Sequence, residues 1–259
     1  MRVITVLNRK GGVGKTASTE AIGAGLAHRG YRVLFIDLDS QHNLSGDLGA
    51  ERSRYSSMDL LTGRAPAQSC IQHKAKWDLI PGSVALDTAN MVLTGNGKEY
   101  RLRDALEPIK GQYDFCMIDT PAALGILTTN ALTASDGAII PAEAETHSIQ
   151  GMGLLYPTIR EVQQHSNPKL RIYGVLLTRY KGTAVLPKDM RSNAEAVAAQ
   201  MGTGVFSKPI RESIRIGEAV AKHEDIFTYS SRSNPAQDYS AAIEELLQMI
   251  KEGTNNGKH

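Results

Sequence analysis

The segment NRKGGVGKTAST, at positions 8–19, follows directly on the apolar run VITVL at 3–7. Its glycines, Gly11, Gly12 and Gly14, can turn backbone N–H groups toward an anion. A helix that begins near Gly14 adds the partial positive charge of its N-terminus. The segment therefore predicts a phosphate-binding loop between a buried strand and a helix. A strand, loop and helix in this order indicate a parallel α/β sheet.

The loop departs from the usual pattern G-x-x-x-x-G-K-[ST] at its first position. Gly14, Lys15 and Thr16 end the pattern, so its opening glycine would stand where this chain has Arg9, and Lys10 follows. In such a loop we expect Lys15 to neutralise the β- and γ-phosphates of a nucleotide, and the Thr16 hydroxyl to bind Mg²⁺. The residues of the loop predicted to contact the nucleotide are Gly11, Gly12, Val13, Gly14, Lys15, Thr16 and Ala17.

Two further apolar runs end in carboxylates. The run FCMID ends at Asp119, and the segment FIDLDSQHNLS at 35–45 carries Asp37 and Asp39. An aspartate at the carboxyl end of a buried parallel strand lies beside the phosphate loop, so Asp119 is predicted to bind Mg²⁺ through water, as a Walker B residue. Asp37 is a second candidate metal ligand, and Asp39 a candidate for orienting the water that attacks the γ-phosphate. The alternative for both is a carboxylate that caps a turn.

Apolar runs alternate with helical patterns along the chain. The runs lie at 3–7, 32–37, 77–82, 114–119, 137–142 and 171–178, and the helical patterns include 15–30, 148–165 and 187–202. This alternation predicts an α/β P-loop NTPase fold, with a mostly parallel twisted sheet and helices on both faces. We expect one domain over 1–251 and a disordered tail over 252–259. Pro157 lies inside a helical pattern and is expected to kink it.

The composition is that of an ordinary globular protein. The chain has 259 residues, of which 41% are hydrophobic and 22% charged, and its formal net charge of +2 is too small to imply nucleic acid by itself. Cys70 and Cys116 form no C-x-x-C pair, so two reduced thiols are expected. No segment approaches the roughly 20 apolar residues of a membrane span. We expect a cytoplasmic protein.

The segments KGGVGKT, DLDSQHNLS and IDTPAALGILTTNAL resemble, together and in this order, the ParA/Soj group of deviant-Walker ATPases, which includes MinD. The resemblance implies ATP and Mg²⁺ as cofactors, slow hydrolysis, and a homodimer that sandwiches two nucleotides. It makes Lys10 the signature lysine, which reaches the phosphates bound by the other subunit. It also aligns Asp39 with the carboxylate that activates water, and Asp119 with the Walker B aspartate.

The same resemblance indicates where the base would bind. Relatives contact adenine with a segment that usually contains Pro-Arg-Asn, whereas this chain has Arg211, Glu212 and Ser213, with Pro209 just before them. Pro209 and Arg211 are the candidate adenine contacts. The guanine-reading motif N-K-x-D is absent from the sequence, which favours adenine.

Relatives of the ParA type bind double-stranded DNA without sequence preference through basic residues. Arg215 matches one such position, and a second aligns with Thr183, so Arg179 and Lys181 are candidates to replace it. Between 171 and 232 there are ten Lys and Arg against six Asp and Glu, an excess that suits phosphate contacts. Further candidates among these ten residues are Lys188, Arg191, Lys208, Lys222 and Arg232. The alternative is an ordinary solvated surface.

The resemblance therefore predicts a nucleoid-associated partition ATPase, which a ParB-like centromere-binding partner stimulates and releases from DNA. Two alternatives stay open, a positioning ATPase for a non-DNA cargo and a regulatory ATPase with a protein partner only. A MinD-like membrane helix is not expected, because the last helical pattern carries Glu244, Glu245 and Glu252 against Lys251.

Overall fold

The apolar runs form one seven-stranded sheet within the described residues, 1–182 and 187–255, of this computed structural model. The strands are β1 Arg2–Val6, β2 Val33–Asp37, β3 Gln72–His73, β4 Asp78–Ile80, β5 Phe115–Asp119, β6 Gly137–Glu143 and β7 Arg171–Thr178. Their order across the sheet is β3-β4-β2-β5-β1-β6-β7. Every neighbouring pair is parallel except β3 and β4, an antiparallel edge that the sequence did not predict.

Helices connect the strands and cover both faces of the sheet. They are α1 Lys15–Ala27, α2 Asn43–Asp47, α3 Ser57–Thr62, α4 Ala67–Cys70, α5 Ala89–Val92, α6 Arg101–Leu106, α7 Ile126–Ala134, α8 Thr146–Gly151, α9 Tyr156–His165, α10 Lys188–Gln200, α11 Ile214–Ala221, α12 Ile226–Ser230 and α13 Asn234–Asn255. Short 3₁₀ turns lie at Val84–Thr88, Lys98–Tyr100, Glu107–Ile109 and Met152–Leu155. The predicted α/β fold is confirmed, and none of the described helices is both long enough and apolar enough to pass through a membrane.

Alternate residues of each buried strand pack on opposite faces, because successive side chains of a strand point to opposite sides. Phe35 of β2 packs in the cluster formed by α1, α11, α12 and α13, whereas its neighbours Leu34 and Ile36 pack with α3, α6 and α7. At Gly23 of α1 an added Cβ would lie 2.3 Å from the Phe35 ring. The absence of a side chain at Gly23 therefore sets how closely α1 lies on the sheet.

The parallel strands bring their carboxyl ends to one edge of the sheet. β1 lies between β5 and β6, and its register places Val6 beside Asp119. Asp37 at the end of β2 pairs with Asp119, and Glu143 at the end of β6 pairs with Thr178 of β7. Ligands of open parallel sheets bind at this edge, where the strand order reverses.

Two helix boundaries differ from the prediction. The helical pattern at 148–165 is interrupted by the 3₁₀ turn Met152–Leu155, and Pro157 lies in the first turn of α9, where its missing N–H leaves no helical bond unmade. The break thus precedes the proline. The last helix continues to Asn255, past the predicted start of a disordered tail, and residues 256–259 lie outside the described part of the chain.

Candidate nucleotide-binding site

The glycine-rich loop joins β1 to α1 in a conformation that requires glycine. Gly12 and Gly14 have φ of 77° and 80°, in the left-handed region that residues with a Cβ disfavour. Gly14 is the N-cap of α1, so the free N–H groups of the first turn face the loop. Thr178, the last residue of β7, donates a hydrogen bond to the Val13 carbonyl at 2.8 Å and fixes the far side of the loop.

Lys15 lies beneath this loop rather than on its surface. Only 8% of the residue is exposed, and its Nζ is 3.5 Å from the Lys10 carbonyl oxygen. Burial lowers the pKa of Lys15, and the nearby carboxylates of Asp119 and Asp39 partly offset that effect. A partly desolvated cation beside a glycine-rich loop and a helix N-terminus is well placed to bind a phosphate anion.

Thr16 and Asp119 meet at the start of α1. The Thr16 hydroxyl donates to Asp119 Oδ2 at 2.7 Å, and the Thr19 hydroxyl lies 3.4 Å from Oδ1. Burial raises the pKa of Asp119 to about 7, against the lowering effect of the Thr16 hydrogen bond and the Lys15 charge. A hydroxyl and a buried carboxylate that lacks a full counter-charge form a donor set that fits Mg²⁺. The structure thus brings together two of the three residues predicted to hold the metal.

Asp37, the other predicted metal ligand, makes local contacts instead. Its Oδ2 accepts hydrogen bonds from the Ser45 backbone at 2.9 Å and the Ser45 hydroxyl at 2.6 Å, and its Oδ1 accepts from the Asp39 backbone at 3.0 Å. These bonds close the turn between β2 and α2. They favour the alternative that the sequence left open, a carboxylate that caps a turn, over a ligand of Mg²⁺.

Asp39 lies at the same edge with its side chain only partly buried. Its Oδ1 accepts a hydrogen bond from the Gln41 backbone at 3.0 Å. Its charge raises the pKa of both Lys15 and Asp119, so Asp39 lies within electrostatic range of both side chains. This position beside the metal and phosphate ligands agrees with the predicted role in orienting water, which stays a prediction.

Lys10 lies on the outer rim of the loop. Half of its side chain is exposed, and its Nζ pairs with Glu143 Oε2 at the end of β6. Asn8 shapes this part of the loop, because its amide accepts from the Lys10 backbone at 3.0 Å and donates to the Pro141 carbonyl at 2.6 Å. Sequence reasoning missed Glu143, although the end of a strand next to β1 is where such a residue would be found.

Arg179, predicted as a DNA contact, lies against the phosphate loop. Its Nη1 is 3.2 Å from the Gly12 carbonyl oxygen and 3.4 Å from Glu143 Oε1. Its Nη2 is 3.4 Å from Glu212 Oε1, and Lys181 Nζ is 3.9 Å from the other oxygen of Glu212. Two acidic residues therefore reduce the positive charge that Arg179 and Lys181 would offer to DNA, and Arg179 belongs to the rim of the loop.

The candidate adenine contacts are held by the protein itself. Pro209 is buried. The Arg211 guanidinium forms a two-pronged pair with Asp238 of α13, at 2.9 Å and 2.7 Å, and the Arg211 backbone donates to the same carboxylate at 3.0 Å. Asp238 is 2% exposed, so Arg211 neutralises a buried charge. The Arg211 side chain thus attaches this segment to α13, which disagrees with a side-chain contact to adenine.

Three further DNA candidates, Arg215, Lys222 and Lys188, are exposed on or beside α10 and α11. Arg215 in the first turn of α11 pairs with Glu218 at 2.9 Å, and Lys222, just after α11, lies 5.1 Å from the centre of the Tyr229 ring. Lys188 is the first residue of α10 and is exposed. Thr183, the position of the missing basic residue, lies outside the described residues.

Comparison with known proteins gives one family and many relatives. A family model described as an AAA domain matches residues 1–172. The sporulation initiation inhibitor protein Soj of Bacillus subtilis is 36% identical, over 99% of this chain and 99% of its own length. The chromosome partitioning protein ParA of Caulobacter vibrioides is 35% identical, over 95% of this chain and 94% of its own.

Solved structures with a similar fold include nucleotide-bound proteins. A structure of cobyrinic acid a,c-diamide synthase from Mycobacterium smegmatis with bound ADP and magnesium has a TM-score of 0.83 and 33% identity, covering 98% of this chain and 96% of its own. The septum site-determining protein MinD of Pyrococcus horikoshii, complexed with Mg-ADP, has a TM-score of 0.78 and 25% identity, covering 96% and 97%.

Proposed function

Because the chain belongs to the ParA/MinD family of P-loop ATPases, with ATP and Mg²⁺ as cofactors, we propose that it is a partition ATPase. In this proposal its ATP-bound homodimer binds double-stranded DNA without sequence preference. A partner of the ParB type, which binds the DNA to be segregated, stimulates hydrolysis and so releases the protein from DNA. Cycling between the two states takes place on the nucleoid in the cytoplasm.

The observation that carries the proposal is the pair of lysines at one loop. Lys15 is buried beneath the loop of its own chain. Lys10 is half exposed on the rim, where a second copy can approach it. A lysine that crosses to the partner's phosphates makes the dimer depend on ATP, which turns the nucleotide into an assembly switch.

The other residues of the site divide the work of hydrolysis. Lys15 and the loop amides bind the β- and γ-phosphates, and Thr16 and Asp119 hold the metal. Mg²⁺ supplies positive charge to the phosphate oxygens when it is bound. Asp39 orients the attacking water. Since catalysis of phosphoryl transfer rests on positioning and charge, a partner that adjusts Asp39 or Lys10 can set the rate.

The DNA-binding half of the proposal rests on exposed basic residues and on the names of relatives. Arg215, Lys188 and Lys222 are exposed on or beside α10 and α11, and ten Lys and Arg oppose six Asp and Glu between 171 and 232. Contacts to phosphates from such residues carry no base information. The relatives Soj and ParA, named for sporulation and chromosome partitioning, match nearly the whole chain.

The test is salt-dependent binding to random duplex DNA with ATP, with ADP and without nucleotide, comparing wild type with Lys10→Ala. We expect binding that requires ATP and is lost in Lys10→Ala. The matched control is Lys110→Ala, which removes a lysine of similar exposure that pairs with Glu107 before β5. Dimerisation with ATP but no DNA binding at low salt would contradict the partition role and leave a protein-only regulator.

The similarity to MinD, a septum site-determining protein, favours a second candidate, an ATPase that positions a protein cargo. It does not bring a membrane helix with it, because Ile243 and Leu246 of α13 are buried in the core. Such a protein would bind DNA but ignore a ParB-like protein. A pull-down of the ATP-bound Asp39→Ala variant from cell extract, with Lys15→Ala as control, would identify which class of partner it holds.

The similarity to a cobyrinic acid a,c-diamide synthase does not change the proposal. An amide synthase that takes ammonia from glutamine through a cysteine needs an accessible thiolate. Cys70 and Cys116 are the two cysteines of the chain, and both are fully buried. Burial raises the pKa of Cys70 to about 11 and raises that of Cys116 as well, so neither thiol fits that chemistry.

A further inference from the structure

Three large apolar side chains are exposed in one short segment that follows β4. The segment, 84–92, has the sequence VALDTANMV and consists of a 3₁₀ turn and α5. The three side chains are those of Val84, 70% exposed, Met91, 75% exposed, and Val92, 49% exposed. Among the described residues, the other exposed large apolar side chains are Leu154 and Ile214, on different elements. A group of exposed apolar side chains in one place marks a site of interaction.

The fold of the chain itself does not explain these three side chains. Leu86, Ala89 and Leu93 attach the segment to the core, where they are buried with residues of α3, α6 and α7. The exposed side chains of Val84, Met91 and Val92 add nothing to that core. The segment carries a single charge, at Asp87. The centres of protein interfaces are likewise poor in charged residues and rich in methionine.

Both ends of the 84–92 segment are attached at the carboxyl edge of the sheet. β4 runs parallel to β2 and leads into the segment, and an added Cβ at Gly82 would lie 3.0 Å from the Asp39 carbonyl oxygen. Near the other end, Asn90 accepts a hydrogen bond from the Ile126 backbone at 3.1 Å, at the start of α7, which follows β5. The segment therefore lies along the edge that carries the nucleotide site, on the side of Asp39.

The proposed dimer brings two such edges together. Lys10 lies on the rim of the phosphate loop, so it reaches the partner's phosphates only if the partner's loop comes within the length of one lysine side chain. Because both loops lie at carboxyl edges, the two edges must face each other. One lysine from each copy buries little surface, whereas a stable interface needs a packed apolar centre. The 84–92 segment offers apolar side chains at the edge where that centre is needed.

We propose that the 84–92 segment is buried against the second copy of the chain in the ATP-bound dimer, through Val84, Met91 and Val92. The inference deepens the proposed function and rests on it, because it names a surface through which the ATP-dependent dimer is held. Lys10 makes assembly depend on the nucleotide, and the apolar segment adds affinity that does not depend on charge.

The test measures the dimer dissociation constant by sedimentation over a range of protein concentrations, in the full chain with Mg²⁺ and a non-hydrolysable ATP analogue and without DNA. Met91→Asp should raise this constant about tenfold or more, because a two-fold dimer contains the change twice and each copy buries a charge. Val84→Asp should act in the same direction. Met91→Leu should stay within about twofold of wild type, since it conserves volume and apolar character.

The matched control is Ile214→Asp. Ile214 is the first residue of α11 and is 77% exposed, so the control places the same charge at an equally exposed apolar position on another element. It should leave the dimer dissociation constant unchanged. Each variant, diluted until it is monomeric, should bind a fluorescent ATP analogue as wild type does, and thermal unfolding checks that it is folded.

Undiminished dimerisation of Met91→Asp would overturn the inference, leave the proposed function intact and assign the segment to a different protein partner. An equal loss in Ile214→Asp would also overturn it, because any exposed aspartate would then have the same effect. A wild-type protein that binds the ATP analogue but stays monomeric would overturn both the inference and the ATP-dependent switch of the proposed function.

Discussion

Three charged side chains at the carboxyl edge of the sheet are buried, whereas the basic side chains on α10 and α11 named above face solvent. Lys15, Asp37 and Asp119 are each less than 9% exposed, and their neighbours fix them through hydrogen bonds or desolvation. Arg215 has half of its side chain exposed and pairs with Glu218 on its own helix. The buried side chains at the sheet edge can hold one small anion and a metal in a fixed geometry. The exposed side chains of α10 and α11 offer positive charge without a fixed geometry.

This difference determines how strongly each residue acts. A charge removed from water interacts through a low effective dielectric, so its loss leaves neighbours uncompensated. An exposed ion pair is screened by salt and contributes about 0–1 kcal/mol to stability. We therefore expect changes at the nucleotide site to alter the reaction by orders of magnitude. Changes on α10 and α11 should alter binding by small factors that depend on salt.

The largest effect is expected for Asp39→Ala. If Asp39 orients the attacking water, its loss should lower the hydrolysis rate about 10²–10⁴-fold and leave an ATP-bound dimer. Phosphate release gives the rate, and sedimentation with ATP gives the dimer. Asp104→Ala on α6 removes an exposed carboxylate that pairs with Arg103 and should hydrolyse ATP normally. Wild-type turnover in Asp39→Ala would assign the water to another residue.

Lys15→Ala should weaken ATP binding by about a hundredfold or more, because a charge-assisted contact to phosphate is lost from a partly desolvated site. Titration with a fluorescent ATP analogue measures this directly. Lys110→Ala provides the exposed counterpart and should bind as wild type does. Retained micromolar affinity in Lys15→Ala would show that this lysine does not bind the nucleotide. Burial would then not distinguish the functional residues of the sheet edge from those of α10 and α11.

The buried region is also the part that the sequence predicted best. The phosphate loop was predicted correctly because Lys15, Thr16 and Asp119 each lie close to the end of a strand. The carboxyl ends of parallel strands meet at one edge of the sheet, whatever the order of the strands. The meeting of Thr16 with Asp119 at 2.7 Å is a contact of this kind. Backbone turns restrict such positions to a few residue types, so the pattern is visible in one sequence.

The contacts of Arg179 and Arg211 could not be predicted, because they depend on which strands and helices are neighbours in the fold. Arg179 was a candidate DNA contact because it is basic and close to Thr183 in the sequence, and nothing in the sequence places Glu143 beside it. Arg211 likewise received a role in adenine binding, whereas its partner Asp238 lies 27 residues away on α13. An arginine side chain is long enough to reach several possible partners. It pairs with the acid that is most buried, because a buried carboxylate without a counter-charge is costly.

The next prediction concerns a buried acid on α1, one turn beyond Thr16. Burial raises the pKa of Glu20 to about 8, and the carboxylates of Asp47 and Asp225 add to the effect. The folded protein thus binds a proton that the unfolded chain, with a pKa of 4.5, releases. Stability should fall as pH rises from about 4.5 to 8 and level off above that range.

Glu20→Gln removes this titration. Between pH 6 and 9, the free energy of unfolding should fall by about 2 kcal/mol less in this variant than in wild type. Chemical denaturation at each pH measures this difference. Glu252→Gln, an exposed acid on α13, should keep the wild-type slope. Parallel pH curves for Glu20→Gln and wild type would show that Glu20 is ionised in the folded protein, and that burial matters less in this region than its contacts indicate.

The smallest effect is expected for Arg215→Ala on the exposed surface. One phosphate contact should be lost, so DNA affinity should fall a few-fold and the slope of log affinity against log salt should decrease in size by about one. Dimerisation with ATP should be unchanged. Arg103→Ala, which removes an exposed arginine that stacks on Tyr100 of a different face, is the control. An unchanged salt slope in Arg215→Ala would mean that DNA contacts another patch.

A loss of ATP-dependent dimerisation in the same variant would mean that the two regions are coupled directly, through α11 and its packing against α1, rather than only through the nucleotide.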